Sequence, residues 1–327
     1  MRRTASPLAL VLLGLGVFLI VLAPMLTWYV EPRAKRTPTD VNVTSVFKGE
    51  GKYFDQQELK TKSDQELTVT RRVLGDVAAS EKTGRAVWNV SQTIDNPKTA
   101  KLDDPRKSFQ WTTERWVTNR KTNKPVDCCG SKPKDFSGEA YLKWPFDVAK
   151  RDYVWWDSTL GGTVPLHYKG KAKVRGYEGL RFTGKVEPSR AGTRQVPGVL
   201  VDKPKSGQVN AEEWYENSGL DFIVDERTGR ILYAATGPRM TLRAPGGKSD
   251  KVTLLESEKL AFTKKTQQDA VDFAEDDNSQ LRMVGSVAPI GAVSAGAVCA
   301  VVGAILVVRG RRPRQTPPGT TQHPVGA

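Results

Sequence analysis

Two stretches of the chain are apolar from end to end. Residues 7–27 (PLALVLLGLGVFLIVLAPMLT) and 288–308 (APIGAVSAGAVCAVVGAILVV) contain no charged side chain. As helices rising 1.5 Å per residue, each is long enough for the ~30 Å hydrocarbon core of a bilayer. Between them the pattern changes. "RAVWNVSQTI" (residues 85–94), "SFQWTTERWVT" and "GLRFTGKVEP" alternate apolar and polar positions, with Gly, Pro, Asn and Asp separating the runs at short intervals. A period of two is that of a half-buried strand, and the closely spaced turn residues predict antiparallel hairpins. A helical period appears only in residues 264–284, where Ala270, Phe273, Ala274 and Leu281 share one face. The predicted fold class is mainly β (α+β): an extracytoplasmic antiparallel sheet, possibly as two related lobes, flanked by two transmembrane helices. The predicted boundaries are a cytoplasmic N-terminus (1–6), a first span (7–30), a β-rich domain (31–263), a juxtamembrane amphipathic helix (264–287), a second span (288–308) and a disordered cytoplasmic tail (309–327).

Charge orients this arrangement. Arg2 and Arg3 precede the first span, while Arg309, Arg311, Arg312 and Arg314 follow the second. Positive flanks favour the cytoplasm, so both termini are expected there and the domain between the spans outside. A cleaved signal peptide is the competing reading of the first stretch. Its apolar run exceeds a signal core of roughly 7–15 residues, and no A-x-A site follows it before Pro32. The chain carries a net charge of +14. The part outside the arginine-rich ends is spread rather than blocked, which suits an anionic envelope polymer or lipid surface. Nucleic acid is not an expected partner.

The sequence echoes itself once. "WVTNRKTNKPVDCC" (residues 116–129) aligns without a gap on "FIVDERTGRILYAA" (222–235), placing Asn119 on Asp225, Thr122 on Thr228 and Asn123 on Gly229. Asn or Asp at the entry and Asn or Gly where φ turns positive are tight-turn requirements. A duplication and two independent hairpins obeying the same chemistry both account for the match. The alignment sets Cys128 and Cys129 opposite Ala234 and Ala235.

Catalytic patterns are scarce. Outside the tail His167 is the only histidine, and no G-x-S-x-G, H-E-x-x-H or Cys/His cluster occurs. The carboxylates Asp269, Asp272, Glu275, Asp276 and Asp277 lack calcium-loop spacing. Neither an enzyme nor a cofactor is expected. Aromatic residues are the stronger lead, because all the tryptophans except Trp28 lie between the spans. They are densest in "YLKWPFDVAKRDYVWWDSTLGG", where Trp155 and Trp156 must face opposite sides of a strand. Core packing accounts for most of these aromatics, and a lipid or sugar platform for one or two of them is the functional alternative, with Tyr153, Trp155, Trp156 and Trp144 as the candidate ligand-binding residues.

Around this cluster, "WPFDVAKRDYVWWDSTLGGTVPLHYKGKAKVRGYEGLRFTGKV" between two terminal spans resembles the actinobacterial porin PorA family, and the resemblance covers nearly the whole chain. It implies a membrane protein and, by the family label, channel formation; it implies no catalytic residues. The strands here are short and outwardly charged, unlike those of a lipid-facing barrel. Small residues at Gly291, Ala295, Gly296 and Gly303 suit close helix packing. Three functions follow: a membrane-anchored envelope protein that binds or passes a lipid or glycoconjugate, a structural or assembly partner of an envelope protein, and a channel. The adjacent Cys128 and Cys129 have no third exterior cysteine, since Cys299 lies in the second span. A vicinal disulfide is expected, in a small ring with a distorted or cis peptide, stiffening the chain after the first turn. Free thiols and intermolecular pairing are the alternatives.

Overall fold

The structure is a computed structural model that describes residues 7–101 and 104–311. The N-terminal six residues and almost all of the tail, with Arg2, Arg3, Arg312, Arg314 and His323, lie outside the described residues. The chain separates into a β unit, Lys35–Ser279, and a helical unit formed by the chain up to Ala34 and from Gln280 onward.

In the β unit, eleven strands make one antiparallel sheet: β1 (Asn42–Asp55), β2 (Lys60–Gly75), β3 (Ala86–Asp95), β4 (Gln110–Thr118), β5 (Tyr153–Asp157), β6 (Gly162–Val174), β7 (Tyr177–Pro197), β8 (Gln208–Val224), β9 (Ile231–Arg243), β10 (Asp250–Glu256) and β11 (Leu260–Phe262). Their order is β4-β3-β2-β1-β10-β9-β8-β7-β6-β5, and β11 pairs with both β1 and β9. Two hairpin meanders thus run outward from the β1–β10 seam. They share one continuous sheet and one buried apolar cluster, so the halves are not separate lobes.

Sheet edges are hazards unless covered. Here the long connection of residues 119–152 covers parts of both. Pro125 and Lys132 bridge Thr118 and Arg115 on β4, and Ala140 bridges Trp155 on β5. A short helix, α3 (Val77–Thr83), links β2 to β3; Asp76 caps it by accepting from the Ala79 N–H.

The helical unit contains α1 (Pro7–Met25), a π-helical turn (Leu26–Val30) and α2 (Glu31–Ala34). Its other strand of helix is the end of α4 (Lys264–Arg282), a π-helical turn (Met283–Val287) and α5 (Ala288–Arg311). α1 and α5 pack closely along a seam of small residues. A Cβ on Gly16 would lie 2.6 Å from the Ala300 nitrogen, one on Gly296 would lie 2.9 Å from the Gly16 oxygen, and one on Gly303 would lie 2.8 Å from the Leu13 nitrogen. Gly296 and Gly303 are two turns apart, hence on one face. Gly291 and Ala295, expected at the contact, are not there: nothing stands within 4 Å of Gly291, and Ala295 is exposed. Their offsets of five and one residues from Gly296 rotate them away. The matching face of α1 is Ala9, Gly16 and Ala23, all buried and seven apart. That heptad period keeps one seam in register along both helices.

α4 docks on the β unit by Val271 and Ala274, which pack with Val174, Ile223 and Leu232. The predicted face was off by part of a turn. Phe273 is 46% exposed and carries the Arg230 guanidinium over its ring at 5.2 Å.

Candidate functional site

Tyr153, Trp155, Trp156 and Trp144 do come together, but inside the core, all at most 4% exposed. Trp155 stacks with Trp144 and Phe222 at 5.2 and 4.5 Å, and Tyr153 meets Phe182 at 5.5 Å. Trp156 faces the other way, as alternation demands. Phe136 from the long connection covers it at 5.2 Å. The aromatics are thus core residues and the alternative of an exposed platform is corrected: Phe136, from residues 119–152, covers Trp156 on the second face of β5 while Val154 on that face stays 39% exposed, a tertiary contact invisible to strand periodicity.

The two echoed turns converge on this cluster. In the first, the Asn119 side chain accepts from the Lys121 and Thr122 N–H groups and Asn123 sits at φ 58°. In the second, Asp225 accepts from Thr228, and Gly229 sits at φ 71°. Equivalent residues then grip one segment from both sides. Asn123 Nδ2 donates to the Lys143 oxygen (2.9 Å), and the Trp144 N–H donates to the Gly229 oxygen (2.8 Å). Lys143, inside this clasp, is buried beneath the Phe146 ring at 4.2 Å, and its Nζ donates to the Trp144 oxygen. Burial, then the nearby Arg230 charge, lowers its ammonium to about 7, although Asp277 and Asp225 pull the other way. Sequence reasoning missed this lysine, because an isolated Lys beside Trp carries no burial signal.

A second polar network crosses the interior. Tyr215 donates to Asp157 (3.0 Å), Asn217 Nδ2 donates to Tyr215 and to Thr236, and Asn217 Oδ1 accepts from the Gly219 and Gly237 N–H groups. Burial pushes the Asp157 carboxyl up and, with Asp157 beside it, pushes the Tyr215 phenol far up. The phenol stays protonated and serves as a donor. This network holds a double irregularity in the sheet: register slips between Asn217 and Leu220 on β8, and at Gly184/Val186 and Val186/Ser189 on β7.

Bulges re-aim strands, and a surface depression lies beside these. β6 leaves β7 after the His167–Thr183 pair, where a Cβ on Gly184 would lie 2.6 Å from the Pro165 oxygen. Beyond it lies an open groove of about 780 Å³. Its floor is apolar (Leu160, Val164, Val186, Leu220), and its rim is charged. The rim charges are already paired, Arg181 with Asp221 at 2.8 Å and Lys185 with Glu187 at 2.5 Å, and His167 Nδ1 lies 2.8 Å from Asp152. None of the four aromatic candidates lines it. The readable signal was Pro188 within "KVEPSRAGTR", since proline inside a strand marks an edge or bulge.

Cys128 and Cys129 are bonded to each other. Their Cα atoms are 3.8 Å apart, the spacing of a trans peptide, so the expected cis or distorted link is replaced by a left-handed Cys129 at φ 59°. The pair lies in a loop that leaves β4 at Val126 and rejoins it at Lys132, not in a strand matching Ala234 and Ala235. Arg115 fixes it: Nε donates to the Cys129 oxygen, while the terminal nitrogens reach Asn89 and Asp76. Among the described residues no cluster of His, Cys, Asp or Glu is arranged to hold a metal.

Comparison with known proteins bears on the whole chain. No curated protein matches it. The family model described as Porin PorA matches residues 8–305, which takes in nearly all of α1, most of α5 and the entire sheet between them. By that match the chain belongs to the PorA porin family.

Proposed function

We propose that the protein is a non-enzymatic envelope component, anchored by α1 and α5 with both termini cytoplasmic, whose β unit binds the apolar portion of an envelope lipid or glycolipid in the β6–β8 groove. The observation that carries this reading is the groove itself. Its volume falls in the range of ligand sites, its floor is apolar, and its rim charges are neutralised in pairs, which suits an uncharged hydrocarbon segment. The filled aromatic core speaks against carriage through the interior. The test is full-length protein in nanodiscs containing a lipid with a photoactivatable acyl chain, with adducts mapped by mass spectrometry. Adducts on residues 160–167, 184–189 or 218–221 are expected. Labelling confined to α1 and α5 would refute the groove.

The family label favours a second reading, a channel. The seam between α1 and α5 lies within one chain and is lined by Gly and Ala, so conduction would require an assembly of chains. Conductance from pure protein in planar bilayers would establish it.

A further inference from the structure

We propose that the first echoed turn is a docking surface for anionic phospholipid headgroups. This goes beyond the groove and does not depend on it. Chain length alone limits how far the segment next to the turn can lie from the helical unit. Thr37 follows Ala34, the end of the helical unit, by three residues, which span at most about 11 Å in any conformation. Thr37 and Arg120 are bonded reciprocally: the Thr37 N–H donates to the Arg120 oxygen (2.7 Å), and Arg120 Nε donates to the Thr37 oxygen (2.9 Å). The segment after it is pinned to the sheet, with Trp88 Nε1 donating to the Pro38 oxygen and the Gly75 N–H donating to the Val41 oxygen.

The charge of the turn matches that position. Arg36, Arg120, Lys121 and Lys124 form no ion pair among the described residues, and Lys121 and Lys124 are exposed at the tip. Two neighbouring carboxylates are paired with other cations: Asp147 with Lys35 and Glu139 with Arg151. Asp40 and Asp127 offset only part of the excess. The second turn differs, because Arg230 is paired with Asp277 and α4 adds the carboxylates Glu275 and Asp276. The basic surface is therefore one-sided. An anionic leaflet attracts Lys and Arg within a Debye length of its surface, so the residues nearest the anchor gain most.

Lysine footprinting of the full chain in nanodiscs tests this. Acetylation rates are compared between zwitterionic discs and discs with about one-third phosphatidylglycerol. Lys121 and Lys124 should react about 5-fold more slowly in the anionic discs at low salt, a difference that should vanish at about 0.5 M salt. Lys203 and Lys205, on the β7–β8 connection, serve as internal references and should not change. Equal rates in the two lipids, or slowing that survives high salt, would overturn the proposal. So would slowing by polyphosphate added to zwitterionic discs with none from anionic lipid, which would assign the turn to a soluble polyanion.

Discussion

Asn123 and Gly229 occupy equivalent places in the two turns, yet the clasp on Lys143 and Trp144 demands different things of them. Exchanging their residue types separates backbone conformation from contact. Asn tolerates the left-handed region, as Asn123 shows at φ 58°, so Gly229→Asn carries little conformational penalty. Its cost comes from space. A Cβ there would stand 2.3 Å from the Trp144 oxygen and 2.4 Å from the Pro145 oxygen, and both are backbone atoms that must move. The Trp144 N–H loses its acceptor in the process. An unpaired buried donor costs about 1–3 kcal/mol, and overpacking of this kind costs about as much again. The expected loss is about 3–5 kcal/mol. Asn123→Gly keeps the positive φ and forfeits one hydrogen bond to the Lys143 oxygen, with some added freedom in the unfolded chain; about 1–2 kcal/mol is expected. Urea denaturation of full-length protein in detergent, followed by tryptophan fluorescence, reads both. Trp144, Trp155 and Trp156 sit beside the clasp and report it directly. Equal shifts for the two variants, or a Gly229→Asn loss under 1 kcal/mol, would refute the clasp as drawn.

Other outcomes follow from the same geometry. Gly296→Leu should lower the unfolding midpoint in detergent while Gly291→Leu leaves it unchanged; equal effects would remove the small-residue seam. Lys143 titrates near 7 in the folded state and near 10.5 when unfolded, so the unfolded chain holds the extra proton between those values and stability rises with pH across that window. Lys143→Met should therefore stabilise by about 4–5 kcal/mol below pH 7, the lost Nζ bond to the Trp144 oxygen offsetting about 1 kcal/mol, and by progressively less toward pH 10.5; a gain independent of pH would refute the buried charge. Denatured but unreduced protein should alkylate once, at Cys299, and three times after reduction. Three labels without reductant would rule out the vicinal bond. Asn217→Ala should destabilise by about 3 kcal/mol or more, since it removes the partner of two backbone N–H groups and two side chains at the bulge; a loss below 1 kcal/mol would show that the bulge stands without it.

What could be read in advance was local. The apolar stretches, the alternation in residues 85–94 and the turn chemistry of Asn119 and Asp225 depend on neighbours in sequence, and the structure has each as a helix, a strand and a turn. Positions decided by distant chain were not legible. Trp155 and Trp156 alternate as expected, but which face is open depended on Phe136 arriving from the connection. Val271 rather than Phe273 faces inward because the docking surface, Ile223 and Leu232, sets the helix rotation. Gly291 and Gly296 look alike as letters, and what distinguishes Gly296 is Gly303 seven residues on, the same period as Ala9, Gly16 and Ala23 on α1. That period was present in the sequence and would have sufficed.

The β1–β10 seam has a consequence for biogenesis. β1 pairs with β2 at once, but its other side waits for Lys52 to meet Glu256 and for Phe47 to meet Phe262. About two hundred residues must be synthesised before that edge closes, and the segment that closes it lies just ahead of the second apolar helix. Pairing at such separation is slow, and an open hydrophobic edge on a nascent chain invites misassembly. Completion of the sheet and arrival of the second anchor are thus nearly simultaneous. A chain truncated before β10 would keep nine of the eleven strands as two unjoined halves, with the facing edges of β1 and β9 both open, and its folding should depend on a holding chaperone until Phe262 has emerged.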